Sequence, residues 1–326
     1  MLQSGLGLAA LLLIGLVIGI VALTWYTVYL LTHPLRRTYA SALARGRPGD
    51  PGELLRPQGD RREYESWTLH WRGGELPVWD VRGDSPGGPV VILSHGWGDS
   101  RVGGLSRAGV LLPMCSRLLL WDMPGHGEAP GVCTLGTREV GALVSLIERV
   151  GGSGPVVLLG WSLGAGVSVA AAARLQEECG RGVAAVIAEA PYRFPWTPAR
   201  NVLRGFGLPW RVNLPPAMWG LGMRFGGGAG WPGFDREKLA RNLPCPLLVI
   251  HGEGDEVCPV EDGREIAAAA PQGGLCIVPG AGHHGLWTEA KSTAVCVGAV
   301  QRLFSSLRGV TPSPGDNAGQ RSPQPN

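Results

Sequence analysis

A serine lies between two glycines in the stretch VVLLGWSLG (residues 156–164), where an apolar run changes into small, helix-favouring residues. A serine at a sharp turn between a buried strand and a helix can act as a nucleophile, because the turn exposes its Oγ. The N–H of the next residue can then donate to the oxyanion. The same G-x-S-x-G pattern surrounds Ser85, but Pro86 follows that serine and has no N–H. The pattern therefore favours Ser162 as the nucleophile, with a small residue in a tight strand–helix turn as the structural alternative.

Five stretches in a fixed order extend this pattern along the chain. They are HGWGDS (95–100), DMPGHG (122–127), GWSLG (160–164), HGEGDEVCP (251–259) and GAGHHG (280–285). Together they resemble the α/β-hydrolase superfamily, in particular its serine aminopeptidase-like and monoacylglycerol-lipase-like branch. The resemblance spans roughly residues 63–307 and implies a serine hydrolase on the α/β-hydrolase fold.

The resemblance also implies a catalytic triad in the order serine, acid, histidine. A serine hydroxyl is a poor nucleophile near neutral pH and needs a base, which itself needs an orienting acid. Asp255 occupies the position of the acid, and Glu253 and Glu256 are alternatives if the loop register differs. His283 fits the G-x-G-H pattern of the base, and its neighbour His284 is the alternative.

Two backbone N–H groups are expected to form an oxyanion hole. Leu163 follows the serine at the start of a predicted helix, where negative charge is stabilised. Trp97 follows the strand predicted at residues 90–93, in the position that the family uses for the second donor. Three other polar residues of these stretches are expected to be structural: His95, His126 and Asp122.

These residues must be positioned by an alternation of strands and helices between residues 63 and 309. Short apolar runs separated by amphipathic helices predict a mostly parallel sheet with helices on both faces. Runs at Trp67–Trp71 and Leu76–Val81, joined by a Gly-Gly turn, predict an antiparallel hairpin at its edge. The predicted fold class is α/β, and the resemblance refines it to the α/β-hydrolase fold.

Regular periodicity fails between residues 191 and 242, a segment that contains four tryptophans. Long irregular segments inside compact domains are usually functional lids or disordered, and the aromatic content argues against disorder. The segment lies where the superfamily commonly inserts a cap. A hydrophobic lid over an acyl pocket and a satellite core over the sheet edge are equally good interpretations.

Residues 1–35 contain no Lys, Arg, Asp or Glu, and residues 5–32 are nearly all apolar. About 20 apolar residues in a helix cross a bilayer core, so this segment predicts an uncleaved transmembrane anchor. A cleavable signal peptide is the alternative, with Ala40-Ser-Ala42 as its small-x-small site. Its apolar region would exceed the usual ~7–15 residues, and no basic residue precedes it.

The charges that flank the apolar segment predict its orientation. The only charge that precedes it is the α-amino group. Four arginines follow it within a short distance: Arg36, Arg37, Arg45 and Arg47. The positive-inside rule therefore predicts a single-pass protein of the cell membrane with its catalytic domain in the cytoplasm. Residues 36–62 predict a juxtamembrane linker, and the polar residues 310–326 predict a disordered tail.

Composition limits the remaining classes of function. The net charge is +3, and the chain has no Lys/Arg-rich stripe with interleaved aromatics, so no nucleic-acid partner is predicted. The seven cysteines are odd in number and scattered, which favours free thiols in a reducing compartment over a disulfide framework or zinc site. The adjacent His283 and His284 have no further His/Cys cluster beside them, so neither a metal nor a cofactor is predicted.

The favoured function is a membrane-anchored serine hydrolase that cleaves a carboxylic ester or thioester through an acyl-Ser162 intermediate. Its substrate would be a small acyl ester or thioester, and the acyl group could derive from a lipid. The alternatives are a peptidase or amidase of the serine aminopeptidase type and a catalytically inactive hydrolase fold that acts as a scaffold. The complete set of Ser162, Asp255 and His283 argues against the inactive form, because inactive relatives commonly lose one member.

Overall fold

An eight-stranded sheet carries the body of the chain in the computed structural model, which describes residues 2–56, 58–150, 154–180 and 182–308. Its strands are β1 (Tyr64–Trp71), β2 (Gly74–Arg82), β3 (Val90–Ser94), β4 (Arg117–Trp121), β5 (Val156–Trp161), β6 (Ala185–Glu189), β7 (Leu247–Gly252) and β8 (Gly273–Val278). The strand order is β1-β2-β4-β3-β5-β6-β7-β8; the β1–β2 and β2–β4 pairs are antiparallel, and the other five pairs in the described part of the chain are parallel. The mostly parallel sheet and the leading hairpin are therefore confirmed.

Helices before, between and after the strands complete the fold. They are α1 (Leu2–Thr32), α2 (Tyr39–Leu43), α3 (Arg101–Leu111), α4 (Glu139–Val150), α5 (Leu163–Cys179), α6 (Trp196–Gly205), α7 (Trp210–Phe225), α8 (Arg236–Ala240), α9 (Val260–Ala269) and α10 (Ala290–Arg308). Short 3₁₀ turns occupy Pro51–Glu53 and Leu112–Met114. The predicted tail, residues 310–326, lies outside the described residues.

The central strands are apolar because helices cover both of their faces. All five residues of β3 are buried, and neighbouring residues of the strand belong to different cores. Ile92 packs into one hydrophobic core, whereas Val91 and Leu93 pack into the other. Successive side chains of a strand point to opposite faces, so a strand buried on both sides loses its polar alternation.

The parallel register brings the functional loops to one edge of the sheet. Ser94 at the end of β3 pairs with Gly160 in β5, and Trp161 pairs with Glu189 at the end of β6. Glu189 pairs in turn with Ile250 near the end of β7. The loops that follow these strands therefore leave the sheet side by side.

The segment 191–242 contains α6, α7 and α8, so the expectation that regular periodicity fails there is wrong for α6, which is amphipathic with Ala199 and Leu203 on its buried face. In α7 the buried face and the exposed face are both apolar, so the alternation that marks a surface helix is absent. The buried face contains Leu214, Ala217, Met218 and Leu221. The exposed face, here called the α7 outer face, contains Val212, Pro215, Pro216, Trp219 and Met223.

The helix α1 is long and apolar enough to cross a membrane, over the 26 residues Gly7–Thr32. It packs against α7, and Thr27, Leu31 and Thr32 in its last turns are buried. The Asn213 side-chain amide of α7 donates to Thr27 Oγ1 at 2.5 Å. The end of the apolar helix is therefore docked on the body of the protein.

Candidate functional site

Ser162 forms a sharp turn between β5 and α5. Its backbone has φ 53° and ψ −113°, in a left-handed region that non-glycine residues rarely adopt. The Ser162 N–H donates to the main-chain oxygen of Glu189 at 2.8 Å, which ties the turn to β6. Such strained turns cluster at functional sites, and this one has the backbone form of a nucleophile elbow.

The two flanking glycines allow the elements around this turn to approach closely. A Cβ added to Gly160 would lie 2.1 Å from the carbonyl oxygen of Gly164. A Cβ added to Gly164 would lie 2.1 Å from the carbonyl oxygen of Ser94 in β3. Both distances are far below a van der Waals contact, so the backbone contacts among β3, β5 and α5 require glycine at both positions.

Ser85 lies at the other end of the sheet. It occupies the turn before β3, and the first residue of that strand, Val90, pairs with Val156 at the start of β5. Ser162 follows the far end of β5. The two serines of the G-x-S-x-G pattern are therefore separated by the length of a strand.

Asp255 and His283 meet beside this turn, from the loops after β7 and β8. The His283 Nδ1–H donates to Asp255 Oδ2 at 2.8 Å. The other oxygen, Oδ1, accepts the N–H groups of Val257 and Cys258, each at 2.8 Å. The Asp255 side chain is fully buried, and 11% of the His283 side chain is exposed. This arrangement leaves Nε2 of His283 able to accept a proton.

The environment of Asp255 favours its ionised form. Burial alone would raise the pKa of this carboxyl, but hydrogen bonds from His251 and His283 and from the Cys258 N–H hold it well below its usual range. A carboxylate that stays ionised at neutral pH keeps His283 in one orientation and one tautomer.

The alternative acids and the alternative base make different contacts from those of Asp255 and His283. Glu253 is exposed and accepts the Gly280 N–H at 3.2 Å, and Glu256 is exposed as well. The His284 ring makes an edge-to-face contact with that of His283, at 5.1 Å and 74°, but no hydrogen bond among the described residues joins His284 to Asp255. Burial and the neighbouring His283 lower the pKa of His284. Of these three acidic residues, Asp255 is the one hydrogen-bonded to a histidine in the described part of the chain.

The Ser162 hydroxyl has a different neighbour from the one that a triad requires. Within the described residues its partner is the Cys258 thiol, with Oγ and Sγ 3.9 Å apart. Among the hydrogen bonds of the described residues, none joins Ser162 Oγ to His283. The structure therefore brings Asp255 and His283 together and places Ser162 beside them with its hydroxyl directed at Cys258.

The two expected oxyanion donors lie on either side of the turn. Leu163 is the first residue of α5, so its N–H has no carbonyl partner within the helix. Trp97 follows Gly96, and a Cβ added to Gly96 would lie 3.5 Å from Ser162 Cβ. The loop that carries Trp97 therefore adjoins the serine.

Asp122 and His95 brace the loops at this edge, as expected of structural residues. Asp122 accepts the N–H groups of Arg101 at 2.7 Å and Glu128 at 2.9 Å, and it forms an ion pair with the Arg101 guanidinium. His95 Nε2 accepts the Met123 N–H at 2.9 Å. Burial lowers the pKa of His95 to about 4, so the ring is neutral and Nε2 can accept that bond at neutral pH.

One buried acidic residue joins several parts of the site and was missed by sequence reasoning. The Glu189 carboxylate accepts Arg107 Nε–H at 2.8 Å and Trp287 Nε1–H at 2.7 Å. Its main-chain oxygen accepts the Ser162 N–H. Glu189 thus links the serine turn to α3 and to the loop that carries His283. The feature of the sequence that could have indicated its role is its position as a single acidic residue at the end of the apolar strand β6.

His251 was also overlooked, although it begins the stretch that contains Asp255. Its Nε2–H donates to the Cys258 carbonyl at 2.9 Å and lies 3.4 Å from Asp255 Oδ2. The ring is fully buried and fixes the shape of the acid loop. Within the described residues, no group of three His, Cys, Asp or Glu side chains is arranged to hold a metal ion.

Two curated proteins with similar sequences are named as a lipase and an esterase. The lysophosphatidylserine lipase ABHD12 of Bos taurus is 26% identical over 214 residues, which cover 61% of this chain and 50% of that protein. The pimeloyl-[acyl-carrier protein] methyl ester esterase of Chromobacterium violaceum is 26% identical over 230 residues, which cover 60% of this chain and 87% of that protein. The chain spans about half the length, 48% to 50%, of three curated relatives, the lipase among them.

A solved structure and a family model agree on the fold. The Pyrococcus furiosus esterase Pf2001 matches with a TM-score of 0.61 and 18% identity, over 85% of this chain and 98% of that one. At this identity the likeness concerns the fold. The model of the alpha/beta hydrolase family matches residues 90–296, well over half of the chain and inclusive of Ser162, Asp255 and His283. With its strand order and strained serine turn, the chain belongs to the alpha/beta hydrolase family.

Proposed function

We propose that this protein is a membrane-anchored serine hydrolase that cleaves carboxylic esters or thioesters through an acyl-Ser162 intermediate. The observation that carries the proposal is the strained Ser162 turn beside the 2.8 Å hydrogen bond between Asp255 and His283. A nucleophile, a base and an orienting acid from three separate loops then share one edge of the sheet.

Acylation begins when Ser162 Oγ attacks the substrate carbonyl carbon and transfers its proton to His283 Nε2. The hydroxyl must first turn from the Cys258 thiol toward the imidazole, and catalytic hydrogen bonds of this kind often tighten only when substrate binds. Asp255 holds Nδ1–H and stabilises the imidazolium that forms. His283 then returns the proton to the leaving alcohol or thiol.

Negative charge on the carbonyl oxygen would be stabilised by the N–H groups of Leu163 and Trp97. Losing one such donor typically costs about 10²–10³ in rate. Deacylation repeats the sequence with water as the nucleophile and His283 as the base. No metal ion or cofactor takes part in these steps.

The proposal places α1 across the membrane. Its 26-residue apolar stretch spans roughly 39 Å as a helix, which exceeds a hydrocarbon core of about 30 Å. Trp25, Tyr26 and Tyr29 are exposed near its C-terminal end, at the depth where aromatic side chains favour the interface. The arginines that follow would hold the body in the cytoplasm.

The contacts of residues 31–37 support an uncleaved anchor over a signal peptide. Cleavage at Ala40-Ser-Ala42 would remove Leu31, Arg36 and Arg37, which all bond to the body. Signal peptides are discarded, so the mature protein would gain nothing from contacts of this kind.

Lipid-derived esters are the substrate class that we favour within this activity. The α7 outer face is apolar, and α7 packs against the helix that would cross the membrane. The lipase among the relatives acts, by its name, on a lipid. A membrane-embedded acyl chain could therefore reach Ser162 from the side of α7.

Covalent labelling tests the proposal directly. In the full-length protein extracted in detergent, a fluorophosphonate should label wild type and Ser85→Ala but not Ser162→Ala. Hydrolysis of p-nitrophenyl butyrate should fall by about 10³-fold or more in Ser162→Ala, because the nucleophile is lost. The absence of labelling in folded wild type would instead indicate a scaffold. Faster turnover of an aminoacyl p-nitroanilide than of the ester would indicate a peptidase.

A further inference from the structure

Residues 31–37, here called the anchor junction, lie between two loops at the edge of the sheet that carries Ser162. One is the loop 95–100, which contains Trp97, and the other is the loop 122–133. We propose that the anchor junction positions the oxyanion loop, so that the apolar helix is part of the catalytic centre as well as a membrane anchor. This inference rests on the proposed function.

The body of the protein caps the C-terminus of α1. The last carbonyl groups of a helix have no partners within the helix and need donors from elsewhere. The Leu31 carbonyl accepts the Trp97 indole N–H at 2.9 Å, and the Thr32 carbonyl accepts the Cys133 N–H at 2.9 Å. Leu31 and Thr32 are 2% and 5% exposed, so these bonds are shielded from water.

Two further contacts hold the oxyanion loop from the same side. Arg37 forms an ion pair with Asp99 at 3.2 Å, two residues after Trp97. Pro34 is buried, and a Cβ added to Gly98 would lie 4.0 Å from its Cβ. Trp97, Gly98 and Asp99 therefore all face the anchor junction.

Arg36 ties the junction to the second loop. Its guanidinium donates to the carbonyl oxygens of Gly127 at 3.2 Å and Ala129 at 2.8 Å. That loop is joined to the oxyanion loop through the bond from the Met123 N–H to His95. The junction and the two loops thus form a closed set of contacts.

The indole that bonds to Leu31 belongs to the residue whose backbone N–H would stabilise the oxyanion. Holding the side chain of Trp97 therefore fixes the position of its backbone donor. A misplacement of about 1 Å can cost roughly 10² in rate. Leu31 acts on Trp97 directly, and Arg36 and Arg37 act on it through the two loops, so all three are positioning residues.

The test compares variants of the full-length protein in detergent, with soluble p-nitrophenyl acetate as substrate. Trp97→Phe removes the indole N–H and keeps the backbone N–H, and Arg36→Ala removes the tie to the second loop. Each should lower kcat about 10-fold to 100-fold with KM little changed. Arg45→Ala is the matched control, because Arg45 is exposed and the hydrogen bond of its side chain within the described residues goes to the nearby Ser41 carbonyl.

A short-chain trifluoromethyl ketone separates positioning from general damage. This inhibitor forms an oxyanion on the serine, so its Ki should rise by the same factor as kcat/KM falls. Trp97→Phe with Arg36→Ala should cost less than the product of the single effects, because both act through one loop. Arg36→Lys should recover part of the loss.

Three outcomes decide the inference. The inference would be overturned if kcat were unchanged in Trp97→Phe and Arg36→Ala, or if kcat fell while Ki stayed the same. In either case, hydrolysis that still depends on Ser162 would uphold the proposed function. If Ser162→Ala hydrolysed the ester as fast as wild type, the proposed function itself would be wrong. If Trp97→Phe unfolds, Arg37→Gln removes only the half-exposed ion pair and should still lower kcat about threefold to tenfold.

Discussion

At the scale of single residues, the proposed chemistry depends on groups that are unfavourable in isolation. The backbone of Ser162 costs of order 1–3 kcal/mol in its left-handed region, and its bond to Glu189 helps to hold it there. The buried carboxylate of Asp255 would be costly without partners, and two backbone N–H groups and His283 supply them. Both features indicate a site that the surrounding fold keeps organised.

The acid can be tested by a change from carboxyl to amide. Asp255→Asn should lower kcat for p-nitrophenyl butyrate about 10⁴-fold, because an amide no longer selects the tautomer of His283. Glu253→Gln is the matched control: it makes the same change on an exposed side chain two residues earlier and should stay within about twofold of wild type. Substantial loss in Glu253→Gln together with activity in Asp255→Asn would show that the acid is misassigned.

At the scale of elements, α7 is unusual because it is apolar on both faces. Its inner face packs into the core, and α7 also packs against α1, where the buried Asn213 bonds to Thr27. Trp219 and Met223, one turn apart, are 59% and 58% exposed. A surface of this kind is unfavourable in water and typical of a helix that lies in a membrane interface.

A charge on the α7 outer face should therefore impair access from the membrane but not the chemistry. Trp219→Glu should slow hydrolysis of a long-chain ester in phospholipid vesicles about tenfold, because the carboxylate opposes burial in the interface. Its kcat for p-nitrophenyl acetate in detergent should stay within about twofold. Val295→Glu on the exposed face of α10 serves as control and should change neither rate. Equal loss on both substrates would show that Trp219 supports the fold instead.

At the scale of the whole molecule, the sheet gathers the site and the apolar helix at one edge. The loops after β3, β5, β7 and β8 carry Trp97, Ser162, Asp255 and His283, and the anchor junction contacts the first of them. An apolar helix docked at that edge would orient the site toward the membrane surface. The proposed catalytic site and the proposed anchor are therefore in direct contact.

The side of the membrane on which the body lies can be measured directly. A reporter that is active only outside the cytoplasm, fused after Asn326, should stay inactive, and one that folds in the cytoplasm should be active. The reason is the run of arginines after α1, which favours retention on the cytoplasmic side. The opposite pattern would place the body outside the cytoplasm and contradict the proposed topology.

Much of the fold could be predicted because its signals are local. Strands buried on both faces require continuous apolar runs, and β3 and β5 are visible as such in the sequence. The hairpin β1–β2 was visible from its turn. The helix α7 was not visible, because a helix with two apolar faces shows no periodicity and Pro215 and Pro216 weaken its signal further. The helix α6 was missed although it is amphipathic.

The sequence by itself determined which side chains could do chemistry, since the type of each residue and its place after a strand are local properties. Tertiary structure alone decided which of them meet. The contacts from Asp255 to His283, Trp97 to Leu31 and Glu189 to Trp287 join residues 28, 66 and 98 positions apart. Such distances are closed by the parallel register of the sheet and by the docking of α1, which depend on packing across the whole chain.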